Sequence, residues 1–126
     1  MSNKKILLID DEELVTKSVS RFLVREGFEV IGCRSGEEAL ENIKTQTIDL
    51  VICDIRMPQQ NGIETIKKIR QYLKEHRQKQ VPEVLITGYA DEKVNREAEA
   101  LRVADYLYKP FDLRDFLACV KKNLSA

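Results

Sequence analysis

Three aspartates close two apolar runs. Asp10 and Asp11 follow Ile6-Leu7-Leu8-Ile9, and Asp54 follows Leu50-Val51-Ile52-Cys53. If these runs are neighbouring strands, the three acids converge at one edge of a sheet, where repulsion and lost hydration disfavour them unless a hard cation or a proton compensates. Asp54 is the best nucleophile among them: carboxylates form acyl phosphates, and the following Ile55-Arg56-Met57-Pro58 presents it on a loop held by proline. A flavin or nucleotide phosphate would want glycines and bare N–H groups at the first turn. Asp10-Asp11-Glu12-Glu13 instead repels phosphate unless a cation intervenes. Magnesium, or manganese in its place, meets that need, because it accepts one or two carboxylates plus waters and then bridges to phosphate oxygen. The same acids could cap the first helix, a bland role for which one residue suffices.

Two further groups stand at the ends of later apolar runs, Thr87 after Val84-Leu85-Ile86 and Lys109 after Tyr106-Leu107-Tyr108. Taken singly they read as a strand-end threonine and a surface lysine. Taken with the acids, Lys109 can pair with one phosphoryl oxygen and Thr87 can donate a hydrogen bond to another, which supplies most of what phosphoryl transfer asks of a protein.

Short aliphatic runs alternate with stretches of helical period, the pattern of repeated βα units around a parallel sheet covered on both faces. Strands are expected over 5–9, 29–33, 50–53, 84–87 and 104–108, and the mixed Phe28-Glu29-Val30-Ile31 suits an edge. The first helix carries Leu14, Val15, Val19, Phe22 and Leu23 on one stripe, and Gly27 is placed to end it. Ser35-Gly36-Glu37-Glu38 has the form of a capping box, opening a second helix that turns Ala39, Leu40 and Ile43 inward. Asn61, Asp91 and Asp112 are cap candidates for the remaining three helices. The third should bury Ile63, Ile66, Ile69 or the stem of Arg70, and Leu73; the fifth should bury Leu113, Phe116, Leu117, Val120 and Leu124. The polar run 74–80, which holds the single His76, reads as a solvated helix end and loop.

The 126 residues suit one domain spanning 1–126, and 21 basic against 21 acidic residues leave no net charge that would draw a nucleic acid. Cys33, Cys53 and Cys119 are an odd count without CxxC spacing, which favours reduced thiols and a cytoplasmic location. The N-terminus has neither a signal-peptide core nor a membrane span.

Ile9-Asp10-Asp11, Asp54-Ile55-Arg56-Met57-Pro58 with Gly62, Thr87-Gly88-Tyr89 and Tyr106-Leu107-Tyr108-Lys109-Pro110-Phe111 stand in the order of the receiver domain of two-component response regulators, which the chain resembles over its whole length. The resemblance implies a flavodoxin-like (βα)5 fold, a doubly wound five-stranded parallel sheet of order 2-1-3-4-5. It implies that Asp54 accepts a phosphoryl group from a sensor histidine kinase or phosphotransfer protein. Asp11 and Asp54 would then hold the metal, with Asp10 through water and the main-chain carbonyl of Arg56. Thr87 and Tyr106 would move as a switch that remodels the face of the fourth helix, fifth strand and fifth helix. That face would meet an output domain or partner, or a second copy in a phosphorylation-dependent homodimer. Arg56 and Tyr89 match rim positions that tune phosphoryl lifetime, with Tyr89 shielding the acyl phosphate from water, and the Lys109–Pro110 bond would be cis.

One departure stands out. The family often has Gly-Ala before the fifth-strand tyrosine, whereas this chain reads Leu101-Arg102-Val103-Ala104-Asp105-Tyr106. Either Arg102 adopts positive φ or the fourth helix ends differently, which would leave the output face unusually mobile or unusually shaped. Two rival readings remain. A magnesium-dependent aspartyl-phosphate phosphohydrolase would want an acid where Arg56 stands, and a degenerate module that binds partners without phosphate would have lost Asp54, Lys109 or the acid pair. The expected protein is therefore a signalling switch rather than an enzyme, either stand-alone or part of a longer regulator.

Overall fold

The computed structural model describes residues 3–55, 62–88 and 92–124. Strands and helices alternate: β1 (Lys5–Ile9), α1 (Glu13–Arg25), β2 (Glu29–Cys33), α2 (Gly36–Thr45), β3 (Leu50–Asp54), α3 (Gly62–Glu75), β4 (Glu83–Thr87), α4 (Glu92–Leu101), β5 (Asp105–Tyr108) and α5 (Leu113–Leu124). Every strand pairing is parallel and the order is β2-β1-β3-β4-β5. This is the flavodoxin-like arrangement, in which order reverses beside β1 and leaves a crevice at the carboxyl edge between β1 and β3.

Side chains alternate across the sheet, so each strand feeds two cores. Leu7 and Ile9 pack with Ala39, Ile43, Ile66 and Ile69 of α2 and α3, while Ile6 and Leu8 pack with Val19 and Leu23 of α1 and Phe116 and Val120 of α5. The apolar runs of β1, β3 and β4 follow from this double burial. β2 is an edge and only partly buried, as its mixed sequence indicated.

Local signals mostly act as their chemistry suggests. Gly27, at φ 98°, ends α1, with its N–H donating to the Val24 carbonyl and the Phe28 N–H to that of Leu23. The Glu38 N–H donates to Ser35 Oγ, but the Glu38 carboxylate reaches the Arg34 N–H rather than that of Ser35. Asp112 caps α5 by accepting from the Asp115 N–H at 2.8 Å; the cap candidates Asn61 and Asp91 lie outside the described residues. Arg102 takes the positive-φ alternative, at 52°.

Leu117 is only half-buried and joins neither core, and two other expected core residues are exposed. Leu14 is 82% exposed and Leu113 is 48% exposed. Each lies in the first turn of its helix, where the helix starts beyond the carboxyl edge of the sheet and has no strand beneath it. Strand limits also shift by one residue. Asp54 is itself the last residue of β3, Glu83 the first of β4, and Ala104 precedes β5, donating its N–H to the Glu83 carbonyl.

His76 is exposed and stacks on Tyr72 at 4.0 Å between centroids. All three cysteines are buried and unpaired. Cys33 and Cys53 flank Ile9 in register on either side, two strand spacings or about 10 Å apart, which exceeds disulfide reach. Burial pushes the Cys33 and Cys119 thiols up to about 11, so they stay protonated. Among the described residues no helix is long and apolar enough to cross a membrane.

Candidate functional site

Register brings the first acids together. Ile9 pairs with Cys53, so Asp10 and Asp54, one residue further along each chain, stand side by side at the carboxyl edge. They are 2% and 4% exposed. Main-chain bonds hold both: the Asp10 N–H donates to the Cys33 carbonyl at 2.9 Å, and the Ile55 N–H to the Ile86 carbonyl at 3.0 Å. Asp10 Oδ1 also accepts from the Glu12 N–H at 2.9 Å, so the acid organises the entry to α1 as well. Burial pushes the Asp10 carboxyl up to about 6; the Glu12 N–H opposes that rise and the charge of Asp54 adds to it. Asp11 follows at the rim, half-buried.

Lys109 enters from the other side. Its N–H donates to the Thr87 carbonyl at 2.8 Å, and its ammonium reaches Asp54 Oδ2 at 2.8 Å, across 55 residues of chain. Burial acts to lower the lysine pKa, but the hydrogen bond to Asp54 and the charges of Asp54, Asp10 and Glu12 outweigh it and the net shift is upward. Lys109 is therefore cationic at neutral pH. The bond from Lys109 to Pro110 is cis. A Cβ at Gly88 would make ordinary van der Waals contact with the lysine stem, at 3.4 Å. Thr87, 6% exposed, ends β4 beside Ile86, the partner of Asp54. Tyr106 is half-buried against the α3 side of the sheet, and its hydroxyl donates to the Ala98 carbonyl of α4 at 2.7 Å. Arg56 and Tyr89, the expected rim residues, lie outside the described residues.

Gly62 has a role that the reading of motifs did not supply. It opens α3 with its N–H donating to the Ile55 carbonyl at 2.8 Å, and a Cβ there would lie 2.5 Å from the Asp54 carbonyl oxygen and 2.9 Å from Ile55 Cα. α3 thus seats its first residue directly on the backbone that carries Asp54. The available signal was a glycine at the first helical position, one residue past the cap candidate Asn61, where most other residues favour a helix more.

Among the described residues no three Asp, Glu, His or Cys side chains gather closely enough to form a metal cluster. The donor chemistry nevertheless suits magnesium, which takes one or two carboxylates and completes its shell with water and main-chain oxygen. The upward shift of Asp10, caused by burial and added to by Asp54, marks a place where further positive charge would be welcome.

Five site groups thus come from the ends of four strands, at the crevice where this topology places ligands. Residues 6–121 match the family described as response regulator receiver domain. The chain belongs to that family. This receiver domain is 38% identical to the alkaline phosphatase synthesis transcriptional regulatory protein PhoP of Bacillus subtilis, over 97% of the chain and 49% of that protein. It is 37% identical to the transcriptional regulatory protein CpxR of Escherichia coli K12, over 95% of the chain and 49% of that protein. The receiver thus spans about half the length of these curated relatives. Among solved structures it is similar to a CheY-like receiver domain protein from Methanospirillum hungatei JF-1, with TM-score 0.87, 27% identity, and coverage of 98% and 95% of the two chains. Chemotaxis protein CheY4 of Vibrio cholerae gives 0.86 at 28% identity, covering 98% of this chain and all of that one. The receiver is accordingly a signalling module of the two-component type.

Proposed function

We propose that Asp54 is the phosphoryl acceptor of a single receiver unit, charged by the phosphohistidine of a sensor histidine kinase or phosphotransfer protein. The observation that carries this reading is the 2.8 Å contact of the Lys109 ammonium with Asp54 Oδ2 beside buried Asp10. An Asp54 carboxylate oxygen attacks phosphorus, the P–O bond forms, and the P–N bond to the donor histidine breaks with its electron pair returning to the imidazole. Lys109 holds a phosphoryl oxygen, and Thr87 donates its hydroxyl to another. Magnesium or manganese, held by Asp11, Asp54, the Arg56 carbonyl and, through water, Asp10, would neutralise phosphoryl charge. By the family pattern, Arg56 and Tyr89 would tune phosphoryl lifetime, with Tyr89 shielding the acyl phosphate from water.

The switch then runs from Thr87 to Tyr106. A dianionic group draws in the hydroxyl, and the space vacated behind it changes which rotamer of Tyr106 packs best. The face built from α4, β5 and α5 changes with it and is read by an output domain, a partner or a second copy. The curated relatives are transcriptional regulators, which fits an output that acts on gene expression. Three unpaired, buried thiols fit the reducing cytoplasm.

Intact-mass spectrometry after incubation with acetyl phosphate tests the acceptor. The expected result is one magnesium-dependent phosphoryl adduct that Asp54→Asn abolishes and Tyr89→Ala loses faster than wild type. A folded wild type that takes no adduct from acetyl phosphate or from a kinase would sink the reading.

A further inference from the structure

Among the described residues, three helices end on a residue with positive φ: α1 on Gly27, α3 on Arg77 and α4 on Arg102. In the first two, two main-chain bonds complete the end. The N–H groups of Gly27 and Phe28 donate to the carbonyls of Val24 and Leu23, and those of Arg77 and Gln78 to the carbonyls of Lys74 and Leu73. α4 begins the same closure, with the Arg102 N–H donating to the Glu99 carbonyl at 3.1 Å. By position the second bond should join the Val103 N–H to the Ala98 carbonyl. That carbonyl is met instead by the Tyr106 hydroxyl at 2.7 Å.

The reason lies in the chain beyond the helix. Ala104 is drawn onto β4 by its bond to the Glu83 carbonyl at 2.9 Å, and Val103 is buried in the core, so the chain leaves the axis of α4 immediately after Arg102. A glycine at this position would accept the left-handed turn without strain, whereas arginine adopts it at a cost. The last turn of α4 also carries no basic residue that could hold its terminal carbonyls. Ala98 is the described residue that α4 buries most deeply, with Leu101 half-buried and Arg96, Glu97, Glu99 and Ala100 exposed, so its carbonyl lies where a bond counts.

We propose that the Tyr106 hydroxyl is the C-terminal cap of α4, a task left to it because the Arg102 turn does not complete the main-chain closure, and that re-seating Tyr106 therefore loosens the last turn of α4. The cap is a property of the folded chain. The trigger rests on the phosphoryl-acceptor reading of Asp54. The output signal of this receiver then includes order and disorder at the end of α4 as well as the position of an aromatic ring.

Amide hydrogen exchange at Ala100, Leu101 and Arg102 tests both parts. Tyr106→Phe, which removes only the hydroxyl, should speed exchange there by roughly three- to tenfold while core strands are unchanged. Arg102→Gly relieves the left-handed turn but leaves Val103 buried and Ala104 held on β4, so in that background the same substitution should speed exchange to a similar extent. Unaltered exchange in Tyr106→Phe, or acceleration that extends equally to the core strands, overturns the cap. Adding beryllium fluoride with magnesium as a phosphoryl mimic should raise exchange at the same amides in wild type and add little in Tyr106→Phe. Adduct formation, followed by fluorine NMR, with no change at these amides overturns the trigger alone. A folded protein that forms no adduct counts against the acceptor reading and removes the trigger with it, while the cap is judged by the first comparison.

Discussion

Gly62 and Asp10 show how single residues set the terms for this site. Any side chain at 62 presses on the Asp54 carbonyl oxygen and Ile55 Cα, both of them backbone that cannot swing aside. Gly62→Ala should therefore cost about 1–3 kcal/mol, measured by urea denaturation, and should slow phosphoryl uptake by displacing Asp54. Asp10 makes a prediction about pH. Its carboxyl is raised from 3.8 to about 6 in the folded protein, so between those values the native state holds a proton that the unfolded chain has released. Stability of the metal-free receiver should fall as pH rises through that window, by up to about 2–3 kcal/mol, and level off above it. Asp10→Asn should flatten the slope and stabilise the protein at neutral pH; a slope unchanged in that variant would disprove the assignment. The acids, Thr87 and Lys109 were legible because polar residues interrupt apolar runs at strand ends. The contact of Gly62 was not, because it joins backbone to backbone and leaves no pattern in side-chain chemistry.

Arg70 ties α3 to the start of β4. Its guanidinium grips the Glu83 carboxylate in a forked pair, with Nε 2.9 Å from Oε2, and Glu83 is buried. The hydrogen bond to Glu83 holds the arginine above its ordinary pKa despite partial burial. Removing one partner strands the other charge, so Arg70→Ala should destabilise by about 3 kcal/mol in thermal or urea unfolding. Adding Glu83→Gln to that variant should recover part of the loss; no recovery would mean that Arg70 acts through its packed stem. Sequence reading offered the Arg70 stem as an alternative to Ile69 on the buried stripe of α3, where Ile69 is the buried one, and gave Glu83 no role. An acid just ahead of an apolar run resembles a loop residue until the sheet is built around it. Periodicity located all five helices, yet it assigned Leu14 and Leu113 to the core because a helical stripe carries no mark of where the neighbouring strand stops.

The whole molecule is one sheet with a core on each face, and its strand order came from family resemblance, since alternating runs are compatible with several orders. What periodicity alone conveyed was the class of architecture and the edge character of β2. One feature of the fold makes the site divisible. The exposed segment 74–80 separates a part of the chain that carries Asp10, Asp11 and Asp54 from a part that carries Thr87 and Lys109, and the two halves meet in the Lys109–Asp54 contact. A receiver cut within that segment should take up phosphoryl groups only when both fragments are mixed, with adduct yield following their association. Labelling of the first fragment alone would show that the acids suffice without Lys109. Otherwise the cut protein is a two-piece assembly whose association is read out as a mass change on one aspartate.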